Sequence, residues 1–313
     1  MGKYTNLKDS YISVIKSLEH ASLRCNVKLD LHWVDSSDLE TETLNTSPVK
    51  YHTAWKSVCS AEYTLIVSNA NRSGILVPGG FGLRGTEGMI AAAKWAREQK
   101  IPFFGICLGL QIAAIEFARN VCGIKGTRHL THEAPLTVDA HSTELVENAT
   151  EPVVIFMPEG SRTHLGGTMR LGLRPTFFQP DTEWSTVRQL YGGETEVHER
   201  HRHRYEISPD YISRLEEKGL RFVGRDEKGE RMEIFELPVQ SETGPSHPYY
   251  VGVQYHPELK RYSSHEFILT DSRPLDPSPP FLGFVAASAG ILDRVLNDAN
   301  ETKQMTNGIN GVC

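Results

Sequence analysis

Residues 101–118 read Ile-Pro-Phe-Phe-Gly-Ile-Cys-Leu-Gly-Leu-Gln-Ile-Ala-Ala-Ile-Glu-Phe-Ala, and the fold is decided here. Phe103 to Ile106 is an apolar run of the length of a buried strand. From Leu108 onward, Leu108, Ile112, Ile115 and Phe117 fall at helical spacing. The two segments meet at Gly105-x-Cys107-x-Gly109, a nucleophile-elbow pattern with cysteine in place of serine. A strand that turns sharply into a helix crowds its neighbours, so the flanking positions admit only hydrogen as a side chain. The turn lifts Cys107 above the sheet and sets its sulfur at a helix N-terminus, where dipole and free N–H groups favour the thiolate. A lone cysteine is ordinarily a buried structural residue. The flanking glycines reverse that reading and make Cys107 a nucleophile.

A cysteine nucleophile needs a base. Tyr250 to Tyr255 reads as a strand and ends in His256-Pro257-Glu258. An imidazole at a strand end can face the cysteine, and a carboxylate two residues on can fix its tautomer. A third element is the loop Pro78-Gly-Gly-Phe-Gly82, which follows the buried strand expected at Ile75 to Pro78. No Lys-Ser/Thr follows these glycines, which argues against a phosphate-binding loop. The preferred reading is an oxyanion hole in which the N–H of Gly80 joins that of Leu108. Gln111, one helical turn past Cys107, would also face a substrate.

The 313 residues are 39% hydrophobic, enough for a full core in one large domain. A net charge of −6 argues against nucleic acid or an acidic membrane surface as main partner. The five cysteines are odd in number and lack CxxC spacing, which points to reduced thiols and a cytoplasmic setting. No apolar run has the length of a membrane span, and no secretory signal is visible. Met1-Gly2 does not form a myristoylation signal, because the sixth position is Asn6 rather than Ser or Thr.

In chain order, Gly2-Lys3-Tyr4 reads as the end of a strand whose apolar body is missing. Tyr11 to Leu23 is expected as an amphipathic helix capped by Asp9 or Ser10, Lys28 to Val34 as a strand, and Thr86 to Gln99 as a helix returning to the Cys107 strand. Strand, helix and strand in this order imply a parallel α/β sheet with ligands at the carboxyl ends of the strands. Arg221 to Gly224, Glu230 to Leu237 and Tyr249 to Tyr255 follow as strands. Pro274 to Pro280 then leads into a last helix, Phe281 to Leu296. His198, His201 and His203 invite a zinc reading, but His201 and His203 alternate with arginines and no cysteine lies near, so no metal is expected.

The set Gly-x-Cys-x-Gly, Pro78-Gly-Gly-Phe-Gly82 and His256-Pro-Glu258 resembles the class I (triad) glutamine amidotransferases. Gly2-Lys-Tyr-Thr, Asp9-Ser-Tyr, Gly85-Thr-Glu-Gly88, Met169-Arg-Leu-Gly172, Glu199-Arg-His-Arg-His-Arg204 and Gln254-Tyr-His-Pro-Glu258 narrow the resemblance to the glutaminase domain of CTP synthases, nearest to fungal members. It covers most of residues 2–292. It implies an α/β, flavodoxin-like, mostly parallel sheet flanked by helices with an additional antiparallel region. The domain would run over 1–297, with a polar tail over 298–313. The resemblance implies a catalytic triad of Cys107, His256 and Glu258. It places L-glutamine against Gly80, Phe81, Leu108, Gln111, Glu144 and Arg204, with Glu144 taking the ammonium and Arg204 the carboxylate.

The family also places an apolar run and an amidoligase domain before Gly2, so the chain is expected to be a C-terminal fragment. That domain would bind UTP, ATP and Mg2+ and make CTP, whereas this chain is expected to need no cofactor. GTP activation and a tetramer or filament are likewise implied only by the family. Insert-like segments near 62–73, 127–139 and 261–272 depart from the pattern. They read as lids, as tolerated surface loops, or as retained introns in a gene model. Two other readings stand beside the glutaminase: a different triad hydrolase such as a γ-glutamyl hydrolase, and a catalytically silent regulatory or assembly domain.

Overall fold

The computed structural model describes residues 1–3, 5, 8–59, 73–128, 136–139, 141–142, 151–157, 169–241, 244–259 and 276–298. The chain begins with helices α1 (Ile12–Cys25), α2 (Thr41–Thr46) and α3 (Pro48–Cys59). Strand β1 (Ile75–Val77), helix α4 (Thr86–Gln99), strand β2 (Phe103–Ile106) and helix α5 (Leu108–Asn120) then form the unit around the elbow. Short strands β3 (Lys125–Arg128), β4 (Leu136–Asp139), β5 (His141–Ser142) and β6 (Pro152–Phe156) lead to β7 (Arg170–Phe178), α6 (Thr186–Leu190), β8 (Glu196–His203) and β9 (Tyr205–Ile207). The order closes with α7 (Pro209–Glu217), β10 (Arg221–Arg225), β11 (Met232–Leu237), β12 (Tyr250–Val253) and α8 (Pro279–Ser288).

The main sheet has seven strands in the order β1-β2-β12-β11-β10-β7-β8. β2 is parallel to both neighbours, with Phe103 opposite Ile75 on one side and Tyr250 on the other. Beyond β12 the pairings are antiparallel, through β11, β10 and β7 to β8. The sheet is thus mixed: a parallel end carries the elbow and an antiparallel end carries the Arg-His-Arg-His-Arg stretch. All four residues of β2 are buried, as a strand covered by helices on both faces requires. One apolar cluster packs α4 and α5 on one face, and a second packs α1 and α8 on the other.

Helix α5 is buried from Leu108 to Ala118, which explains why its sequence is apolar nearly all round. Its one buried acid, Glu116, is held by a two-pronged ion pair from Arg97 at 2.9 and 2.8 Å. No helix among the described residues is long and apolar enough to cross a membrane.

Three expectations are corrected. Neither Asp9 nor Ser10 caps α1; a 3-10 turn over Lys8–Tyr11 precedes it, and such a turn can satisfy the first N–H groups without a side-chain cap. Lys28 to Val34 forms no strand ladder. Among the described residues, Met1 and Gly2 stand between it and β1: the Met1 ammonium donates to the Leu76 carbonyl and the Gly2 N–H to the Val34 carbonyl. A cavity of about 160 Å3 lined by Val27, Leu29, Leu31, Ile75 and Leu76 among others adjoins them, and a strand needs a paired neighbour along its length. The last helix is broken: α8 ends at Ser288, Gly290 takes φ +70°, and a separate helical turn occupies 292–298. The insert-like segments fall largely outside the described residues, and the tail beyond 298 does so entirely.

Candidate active site

The elbow is built as the glycines predict. Cys107 caps α5 at φ 52° and ψ −100°, a backbone region that non-glycine residues rarely occupy. Such strain costs about 1–3 kcal/mol and persists only where the surroundings impose it. Here they do. The Cys107 N–H donates to the Val253 carbonyl at 2.7 Å, continuing the β2–β12 ladder into the turn. A Cβ on Gly105 would lie 2.5 Å from the Gly109 carbonyl oxygen, and one on Gly109 would lie 2.1 Å from that of Val77. Both contacts are backbone, so neither can yield cheaply.

His256 follows β12 and is held on two sides. Its N–H donates to the Arg200 carbonyl of β8 at 2.7 Å, and its Nδ1 donates to Glu258 Oε1 at 2.8 Å. The carboxylate therefore fixes the tautomer and leaves Nε2 for the thiol. Nε2 is buried and forms no hydrogen bond of standard geometry. Burial disfavours the imidazolium, but the Glu258 carboxylate and a Cys107 thiolate outweigh it and raise the His256 pKa well above the histidine range. The arrangement sets a sulfur nucleophile beside a group that can carry its proton. Gly79 closes the third side, since a Cβ there would stand 2.7 Å from His256 Cε1 and 3.6 Å from Cys107 Cβ.

Leu108 lies at the first turn of α5, next to Cys107, and is buried. Gly80 is half-buried beside Gly79, and Phe81 is exposed at the mouth of the loop. Gln111, one turn into α5, is 4% exposed, and its amide donates to the Tyr205 carbonyl at 3.0 Å and to Gln254 Oε1 at 3.3 Å. Arg204 sits at the β8–β9 junction, its carbonyl accepting the Met157 N–H at 2.9 Å. Glu144 lies outside the described residues.

Two further residues bear on the site. Gln254 Nε2 points to Cys107 Sγ at 3.6 Å, so one amide ties the nucleophile to Gln111. The period-two alternation of a strand puts Gln254 on the His256 side of the chain, which was the available signal. Buried Lys3 donates from its ammonium to the Phe81 and Gly82 carbonyls, pinning the glycine loop to the start of the chain. No sequence pattern signals a contact across nearly eighty residues.

Residues 6–272 match the family model "Glutamine amidotransferase class-I". A CTP synthase of Schizosaccharomyces pombe is 54% identical over 303 residues, which is 97% of this chain and 44% of the relative. A CTP synthase of Neurospora crassa is 53% identical over 312 residues, 99% of this chain and 47% of the relative. Among solved structures, the glutaminase domain of Trypanosoma brucei CTPS with bound acivicin is similar at a TM-score of 0.70 and 34% identity, covering 92% of each chain. The chain spans less than half the length of the curated relatives it matches.

Proposed function

The chain belongs to the class-I glutamine amidotransferases, and within them to the glutaminase domains of CTP synthases; from that premise we propose that it hydrolyses L-glutamine through a cysteine thioester. The observation that carries the reading is Cys107 held at positive φ at the head of α5, beside an imidazole whose Nδ1 is fixed by Glu258. The Cys107 thiolate attacks the side-chain amide carbon. The Gly80 and Leu108 N–H groups take the charge on the oxygen. His256 gives its proton to the departing nitrogen, which leaves as ammonia and breaks the C–N bond. Water then gives a proton to His256, attacks the thioester and releases glutamate with the thiolate restored. Glu258 orients His256 through both steps. Phe81, Gln111, Glu144 and Arg204 complete the glutamine site, Glu144 for the ammonium and Arg204 for the carboxylate.

In the longer protein the ammonia would pass to an amidoligase domain, which converts UTP to CTP with ATP and Mg2+. This chain needs no cofactor for its own half-reaction. A cytoplasmic setting suits that pathway and free thiols at Cys25, Cys59, Cys107 and Cys122. Assembly into tetramers or filaments, and activation by GTP, belong to the longer protein.

Ammonia release from glutamine by the purified chain, with Cys107→Ala as control, tests the reading. Cys107-dependent release is expected. A folded chain that releases none, and whose Cys107 is not labelled by a glutamine-analogue electrophile, would overturn it in favour of a silent assembly domain.

A further inference from the structure

His201 and His203 are two residues apart on β8, and the alternation of the strand turns both inward while Arg202 faces out. Opposite them, β11 contributes Glu233. All three are buried, at 2%, 2% and 0% exposure. His201 Nδ1 lies 3.1 Å from His203 Nε2 and 3.6 Å from Glu233 Oε2, and one donor atom from each residue lies within 4.8 Å of the other two. We propose that His201, His203 and Glu233 form a binding site for a divalent transition-metal ion of the zinc class, a structural ion buried beneath the active-site strand.

Two of the three ligand separations suit such an ion. Bonds of about 2.0–2.2 Å at tetrahedral angles separate neighbouring ligand atoms by roughly 3.3–3.5 Å, so the separations of 3.1 and 3.6 Å straddle that value. The ligand His203 is already oriented as metal-binding imidazoles are: its Nδ1 donates to the Tyr205 carbonyl at 3.0 Å, which turns the Nε2 lone pair to the site, where it accepts from His201 Nδ1 at 3.1 Å. Neither buried oxygen of Glu233 makes a hydrogen bond, although Arg170 stands 3.4 Å from one and His201 Nδ1 3.6 Å from the other. On metal binding His201 would move its proton from Nδ1 to Nε2, and Glu233 would shed any proton it holds.

Arg170 lies 3.1 Å from Glu227 and 3.4 Å from Glu233, and so divides its charge between the two carboxyl groups. Two imidazole nitrogens and one carboxylate oxygen favour zinc over calcium or magnesium, which prefer all-oxygen sites. Sequence alone offers only the two histidines, and the third ligand comes from a strand thirty residues on. The site adjoins the glutamine chemistry, since β8 also holds His256 through the Arg200 carbonyl and brings the Arg202 carbonyl within 4.0 Å of Cys107 Sγ; metal uptake is measured without glutamine turnover, so the two readings can fail separately.

The test uses the whole chain, stripped with chelator and equilibrated with Zn2+, bound metal being counted by mass spectrometry and Co2+ used as a spectroscopic probe. One tightly held Zn2+ per chain is expected. The Co2+ form should show ligand-field bands without thiolate-to-metal charge transfer, which separates this site from the cysteines. Loss of an outer-shell partner costs about 10–100-fold in metal affinity, so Glu233→Gln and His203→Asn should each weaken binding by at least about 100-fold. A stripped native chain that takes up no Zn2+, thiolate charge transfer in the Co2+ form, or undiminished binding by folded Glu233→Gln would each overturn the site. The first two are read on the native sequence, so a variant that fails to fold does not protect the proposal.

Discussion

Gly79→Ala probes how tightly the reacting pair is held. The added Cβ would sit 2.7 Å from His256 Cε1, whereas carbon atoms settle at about 3.5–4.0 Å, so a gap of about 1 Å must open. The imidazole cannot simply swing away, because Glu258 holds Nδ1 at 2.8 Å and the Arg200 carbonyl holds its backbone at 2.7 Å. Gly79 does not have positive φ, so the substitution adds contact rather than backbone strain. A misplacement of about 1 Å at a reacting centre costs about 100-fold in rate, equivalent to about 2.7 kcal/mol of barrier. We expect kcat for ammonia release to fall by about 100-fold with KM changed far less. The thermal midpoint should shift by only a few degrees. Steady-state kinetics with glutamine, paired with the alkylation rate of Cys107 by a small neutral electrophile, would read this. A kcat within about threefold of the parent would refute the claim that His256 is clamped against this loop.

Glu258→Gln should lower kcat by about 100-fold to 10,000-fold, through loss of the correct tautomer and of the charge beside the imidazolium. Because Glu258 helps raise the folded His256 pKa, that stabilisation is full below the unfolded pKa of about 6.5 and disappears as pH rises through the folded value. Denaturation curves of Glu258→Gln should therefore converge on the parent in alkaline buffer and fall below it in acid. Gln254→Ala removes the amide facing Cys107 Sγ; a hydrogen bond to a charged group is worth about 1.5–3 kcal/mol, so thiol alkylation near neutral pH should slow by about 10-fold to 100-fold. His247 is buried with Nε2 donating to the Ala96 carbonyl and Nδ1 accepting from the Tyr249 N–H. Burial lowers its pKa to about 4, so the unfolded chain takes up a proton that the folded chain refuses as pH drops below about 6.5. Stability should fall by up to about 3 kcal/mol between pH 6.5 and 4 from this group; His247→Gln should flatten that limb in urea titrations.

The parts of the site legible in the sequence share one property, which is local chain geometry. Gly105, Cys107 and Gly109 encode a turn that crowds Gly105 against the Gly109 carbonyl, and β2 and Thr86–Gln99 appear where their periodicity puts them. His256 and Glu258 are two residues apart and meet across that short span. Gln111 shows where locality ends: its helical phase is legible, but the partners of its amide, Tyr205 and Gln254, lie about a hundred residues or more away. Lys28 to Val34 fails in the opposite sense: its alternation is that of a strand, but a strand exists only with a partner for its N–H and C=O groups.

The sequence by itself determined the chemistry on offer: a cysteine nucleophile at an elbow, a histidine with its carboxylate, a glycine loop, and helices and strands in α/β order. These follow from sterics and hydrogen bonding over a few residues. The tertiary structure decided which distant groups meet them. It put Gly79 against His256, Gln254 beside the thiol, Lys3 under the glycine loop and Glu233 opposite two buried histidines. Each of those contacts is set by the order and register of strands in the sheet, which long-range packing selects and no short window of sequence contains.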